Sequence, residues 1–77
     1  MMDMIAWIRQ IRSELKCGVV QFEALQNAVE ITLGRYVDGE LHSMVERILF
    51  DELDEAGDVC LELVVSQFKA KFPQLKY

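Results

Sequence analysis

Apolar residues recur at helical spacing in four successive runs, each closed by a glycine or a proline, and this punctuated periodicity constrains the fold more than any other feature. Met4, Ile8, Ile11 and Leu15, flanked by Ile5 and Trp7, stand at i, i+4, i+7 and i+11. They share one face of a helix from about Asp3 to Lys16, which Gly18 ends. Phe22, Leu25, Val29 and Leu33 define a second helix from about Gln21 to Leu33, with Gly34 suited to the left-handed residue past its end. A third begins at Asp38, whose carboxylate can accept from first-turn amides, carries Leu41, Val45, Ile48, Leu49, Leu53 and Ala56, and stops at Gly57. Asp58 caps a fourth, in which Leu61, Val64, Val65, Phe68 and Phe72 share a face until Pro73 forbids continuation.

Val59, Leu61, Leu63 and Val65 also alternate, so a strand over 59–65 is the alternative to the last helix. A lone strand would leave its backbone without partners, which favours the helix. The connections around Gly18, from Gly34 to Val37, and around Gly57 are short, and short links favour antiparallel neighbours. The expected architecture is therefore all-α: a small four-helix up-and-down bundle over residues 1–77. A second core would need roughly 50 residues of its own, so one domain is expected of 77 residues. With 52% hydrophobic and 27% charged residues and a mean hydropathy of +0.13, the chain is too apolar to remain disordered.

No stretch approaches the roughly 18 uninterrupted apolar residues of a membrane span. Asp3 at the front, with Arg9 and Arg12 inside the first apolar run, departs from the pattern of a secretory signal, so a cytoplasmic protein is expected. Cys17 and Cys60 lack the C-x-x-C spacing of a zinc or redox site and read as small core or boundary residues.

Thirteen acids against eight bases leave a net charge of -5, the wrong sign for holding phosphates. Nucleic acid is an unfavoured partner. A helix-turn-helix built on helices two and three would present Asp38 and Glu40 to the DNA backbone, which leaves a dimeric DNA-binding regulator as the weakest reading. No catalytic set emerges either. Ser13, Ser43 and Ser66 have no patterned base, and Gly-rich phosphate loops are absent. His42 shares a helical face with Asp38 and Glu46, but one histidine with two carboxylates is a weak metal set. The run from Asp51 fails as a calcium loop at Leu53 and Ala56. No enzyme, metal or cofactor is expected.

Two features exceed what such a bundle needs. Asp51, Glu52, Asp54, Glu55, Asp58 and Glu62 form a block of six acids with no base among them. Five of them fall in or just after the last turns of the third helix, where they would oppose the macrodipole by roughly 0.3–1 kcal/mol each. One reading is a solvated acidic end that keeps a hydrophobic chain soluble, and the sharper one is a docking patch for a basic partner. Glu52 falls within the arc of Leu41, Val45 and Ile48, and the basic edge of Arg9, Arg12 and Lys16 offers internal neutralisation if helices one and three are neighbours. The second feature is apolar residues off the stripes. Ile31 lies opposite Phe22, Phe50 opposite Leu41, and Leu63 with Val59 away from Leu61, which points to a second interface.

Leu15-Lys16-Cys17-Gly18 followed by Phe22-Glu23-Ala24-Leu25 resembles, over about a dozen residues that any helical hairpin with a Gly turn would share, the opening of small acidic bacteriocin immunity proteins. The likeness assigns no family. It supplies an example of a class, an acidic helical protein that occupies the basic site of a nuclease. The expected function is thus a small acidic protein-binding module of inhibitor type, immunity, antitoxin or phage-encoded. Its acids between Asp51 and Glu62 would dock a basic surface, with Phe50 or Leu63 as the apolar anchor. The alternative is a homodimeric structural or regulatory protein joined through Ile31, Phe50 and Leu63.

Overall fold

The computed structural model describes residues 3–77, which run α1 (Met4–Leu15), β1 (Val19–Ala24), β2 (Ala28–Val37), β3 (Glu40–Leu49) and α2 (Phe50–Lys71). The strands form one antiparallel sheet in the order β1-β2-β3. The fold is therefore α+β, and the all-α four-helix bundle is overturned.

The first helix matches its periodicity. Asp3 caps it by accepting from the Ala6 amide at 3.2 Å, and Lys16 closes it in the left-handed region (φ 56°), donating its N–H to the Arg12 carbonyl at 2.9 Å. Trp7, Ile11 and Leu15 are buried, whereas Met4, placed on the stripe by spacing, is exposed.

The expected second helix, Gln21 to Leu33, is instead β1, a turn and β2. Val29, Ile31 and Leu33 alternate with Glu30 and Thr32, and this two-residue period, reinforced by β-branched side chains, outcompetes the coincident 3.6-residue spacing of Phe22, Leu25, Val29 and Leu33. The Leu25 amide donates to the Ala28 carbonyl at 2.8 Å and closes the β1–β2 turn. Gly34 lies within β2, opposite Val19 and Ser43, and terminates nothing.

Asp38, expected as a helix cap, sits with Gly39 in a two-residue hairpin turn between the partners Val37 and Glu40. Both residues have positive φ, 53° and 80°, as a type I′ turn requires and as an N-cap, which is extended, does not. The expected third helix thus divides into β3 and the first turns of α2. Its stripe divides too, because on a strand Leu41, Val45 and Leu49 fall on one face and Ile48 on the other.

Register determines the core. Ile31 lies opposite Phe22 and Glu46, Leu33 opposite Val20 and Met44, and Val29 opposite Ala24 and Ile48, so these side chains share one sheet face. That face packs on Trp7, Ile11 and Leu15 of α1 and on Leu53, Leu61, Val64, Val65 and Phe68 of α2. Each full burial of such a side chain contributes roughly 1.5–3 kcal/mol.

The expected fourth helix is the second part of α2, and its stripe is buried from Leu61 to Phe68. The strand alternative over 59–65 is not adopted. Ala56, at φ -151° and ψ 54°, breaks α2 where Gly57 was expected to end a helix. After Pro73 the chain folds back: the Tyr77 hydroxyl donates to the Phe72 carbonyl at 2.8 Å, and Arg35 donates to the carbonyls of Lys76 at 2.7 Å and Leu15 at 3.4 Å. Arg35 thereby ties the end of α1 to the C-terminal segment. The helices cover one face of the sheet only.

Candidate functional site

Only part of the acidic block lies at helix beginnings, since Asp54 and Glu55 stand in the turn that ends at the Ala56 break and Glu62 lies within the second segment. Asp51 and Glu52 occupy the first turn of α2, whose N-cap, Leu49, offers no side-chain acceptor. The break at Ala56 opens a second start, at which Asp58 stands. Carboxylates at those positions meet the positive end of the macrodipole and stabilise it by roughly 0.3–1 kcal/mol each. Folding therefore favours part of the block, which reverses the sign of the argument drawn from sequence.

What helix starts do not account for is the grouping of charge. Between α1 and α2 runs a groove of about 370 Å³ lined by Asp3, Ala6, Trp7, Gln10, Leu53, Asp54, Gly57, Asp58 and Leu61. Three carboxylates, from Asp3, Asp54 and Asp58, border a floor of Trp7, Leu53 and Leu61. Asp3 also caps α1. Trp7 is held edge-on to Phe22, ring centroids 6.2 Å apart. Gly57 lies beside it, where a Cβ would stand at an ordinary contact distance of 3.7 Å from the indole.

Among the described residues the one ion pair joins Arg47 to Glu30 at 3.2 Å, across β2 and β3. Arg9, Arg12 and Lys16 are exposed and do not pair with the block, so internal neutralisation is not realised. The six acids do not form one patch. Asp54 and Asp58 face the α1–α2 groove, Asp51, Glu55 and Glu62 are exposed elsewhere on α2, and Glu52 borders a second groove. The arc assigned to Glu52 dissolves because Leu41, Val45 and Ile48 are strand residues.

That second groove, of about 160 Å³, separates β3 from α2 beside Glu46, Arg47, Ile48, Cys60 and Leu63. The Cys60 thiol donates to the Glu52 carbonyl at 3.7 Å, and burial, then the Glu52 charge, raise its pKa above the ordinary thiol value. It is not an activated nucleophile. Cys17 is buried in the core, where desolvation raises its pKa against an opposing pull from Arg35.

Ile31, expected at an interface, is fully buried at the centre of the sheet, and its assignment to a partner surface is overturned. Its apparent position off the stripe came from imposing a helical wheel on a strand. Phe50 and Leu63 are exposed, as an interface role requires, and so is Val59. Sequence reasoning missed the open face of the sheet, where Tyr36, Leu41, Val45 and Leu49 are exposed. The signal was present in the even separation of Leu41, Val45 and Leu49.

Asp38, His42 and Glu46 do not share a helical face. Asp38 is in the hairpin turn, and four residues of strand place His42 and Glu46 about 13 Å apart. His42 instead packs edge-on against Phe72, centroids 5.2 Å apart. The helix-turn-helix is replaced by a β-hairpin, and Gly18 leads into β1, so the helix-Gly-helix resemblance at the N-terminus has no structural counterpart. No helix of the described chain is long and apolar enough to cross a membrane. No family model, no curated protein and no solved structure matches the chain.

Proposed function

We propose that the protein is a non-enzymatic binding module of inhibitor type that receives a basic partner in the groove between α1 and α2. The observation that carries this reading is the convergence of Asp3, Asp54 and Asp58 on an apolar floor with no cation paired to them among the described residues. Like charges gathered across a groove repel, and a cationic group entering between them relieves that repulsion. A lysine or arginine suits the shape: its aliphatic stem lies along Leu53 and Leu61, and its charged end meets Asp54 and Asp58. The remaining acids of α2 steer a basic surface toward the groove without contacting it closely. Two free thiols support a reducing compartment, in keeping with a cytoplasmic partner.

Replacing Asp54 and Asp58 by Asn keeps their size while removing the charge. The expected result is capture of a basic protein from host lysate by the wild-type chain, weakened by added salt, and capture reduced roughly tenfold in the double variant. Equal, salt-insensitive capture by both proteins would overturn the reading.

A further inference from the structure

The open edge of β3 carries a second surface, away from the groove. β3 is ten residues long and paired with β2 in unbroken register from Glu40 to Leu49. It contains neither proline nor bulge, two of the devices that protect an edge; the guarding charges it does have are Glu46 on the helix side and Lys71, which reaches over from α2. The two-residue turn makes Val37 and Glu40 a hydrogen-bonded pair, so His42, Met44, Glu46 and Ile48 also bond to β2. Leu41, Ser43, Val45, Arg47 and Leu49 consequently direct their backbone groups outward. Lys71, donating to the Ser43 carbonyl at 3.3 Å, confirms that direction and satisfies one of them.

The same outward-bonding residues carry exposed apolar side chains: Leu41 is 48% exposed, Val45 56% and Leu49 44%. On the helix side of this edge Leu63, 55% exposed, borders the groove beside Arg47 and Ile48. Exposed apolar groups and free backbone groups thus gather along one strand.

We propose that β3 is the seam of a symmetric homodimer in which two copies pair their β3 strands antiparallel about a two-fold axis at Val45. The argument for a second copy, and not an unrelated strand, is that this row is complementary to itself. With Val45 on the axis, Leu41 faces Leu49 of the other copy, twice, and Ser43 faces Arg47, twice. No like charges stand directly opposite, since Glu46 faces Met44. A shift by one residue would put the outer row against the helix side. Moving the axis to Met44 would set Leu41 against Arg47 and forfeit the apolar pairs. The result is a continuous six-stranded sheet with both helix layers on one side.

Sedimentation and amide exchange of the wild-type chain test the seam directly. The expected result is a dimer in which the Val45 and Arg47 amides exchange as slowly as those of Met44 and Glu46. Val45→Pro removes an amide hydrogen that the protomer does not use, and Val45→Lys places two ammonium groups at the axis. Each is expected to weaken dimerisation by roughly tenfold or more with the far-ultraviolet circular dichroism intact. A wild-type monomer overturns the proposal. So does a dimer that survives both substitutions, or one with a freely exchanging Val45 amide that Tyr36→Lys disrupts, which would mean packing through sheet faces. Asp54→Asn with Asp58→Asn leaves the seam untouched, so failure of the groove reading and failure of the dimer are separable.

Discussion

The sulfur of Cys60 lies 3.7 Å from the carbonyl oxygen of Glu52, eight residues earlier in the same helix. An unbroken helix would separate residues that far apart by about 12 Å along its axis. The break at Ala56 closes this distance by turning the first segment of α2 back on the second. The thiol then serves a carbonyl from the turns just before the break, where helical partners run out. The same turn brings Asp54 and Asp58 to the wall of the α1 groove, so the break that interrupts the helix also shapes the candidate site.

Gly57, beside that break, does not require a glycine. Its φ lies outside the left-handed region, and a Cβ would meet only Trp7, at an ordinary contact distance of 3.7 Å. Gly57→Ala should therefore stabilise the protein by about 0.4–1 kcal/mol, mainly by restricting the unfolded chain. Urea unfolding checks this, and a lowered midpoint would show that the break needs the freedom of glycine.

Gly39 is the opposite case. It has open space around it but a φ of +80°. Gly39→Ala is expected to cost about 1 kcal/mol, seen as a fall in Tm of roughly 4–8 °C. Asp38→Asn, at φ 53°, should leave Tm unchanged or slightly raised because Asn suits that conformation. A large loss from Asp38→Asn would instead assign the aspartate a role beyond the turn.

That turn also marks where the sequence became hard to read. The Asp38-Gly39 dipeptide between apolar segments is a strong hairpin signal, yet Asp38 equally suits a helix cap, and Leu41, Val45 and Ile48 supply helical spacing beyond it. On a strand, positions i and i+4 also share a face, so Leu41, Val45 and Leu49 fit both periods. The intervening residues decide. Ile31 between Val29 and Leu33 fits only a two-residue period, which makes it a core residue. The objection that a lone strand has no partner holds for 59–65, which is helical, and does not apply to 19–49, where three strands supply one another's partners. Of the two helices that were legible, α1 has no competing alternation, and in the second part of α2 the alternation of Val59, Leu61, Leu63 and Val65 yields to a helical stripe that continues to Phe68. The groove was not legible, because it depends on α1 and α2 meeting across a fold that spacing alone did not reveal.

Ile31 and Leu63, which spacing alone placed in the same class, should part on substitution. Ile31 is fully buried opposite Phe22, so Ile31→Ala should cost about 2–5 kcal/mol. Leu63 is 55% exposed, so Leu63→Ala should change protomer stability by no more than about 0.5 kcal/mol. Denaturant titration of both variants in a Val45→Lys background would keep dimerisation from masking the comparison. Equal losses would place Leu63 in the core as well.

The Cys17 thiol should make stability fall in alkali. It is 4% exposed, and its pKa is raised above 9.0, first by desolvation and against a smaller opposing influence of Arg35. Below the unfolded value the thiol is protonated in both states, and its contribution to stability is complete. As pH rises past about 9 the unfolded chain ionises first and binds fewer protons than the folded one, so unfolding becomes easier. One proton's difference corresponds to a slope of up to about 1.4 kcal/mol per pH unit. The loss continues until the folded thiol ionises too. Tyr77 and Cys60 shift in the same direction, but both are more accessible to water, which screens their effect. Cys17→Ala should therefore flatten most of the decline between about pH 8 and pH 10, while costing about 1 kcal/mol at neutral pH from the lost sulfur. Urea midpoints across that range measure both effects, and an undiminished slope in Cys17→Ala would transfer the alkaline instability to another group.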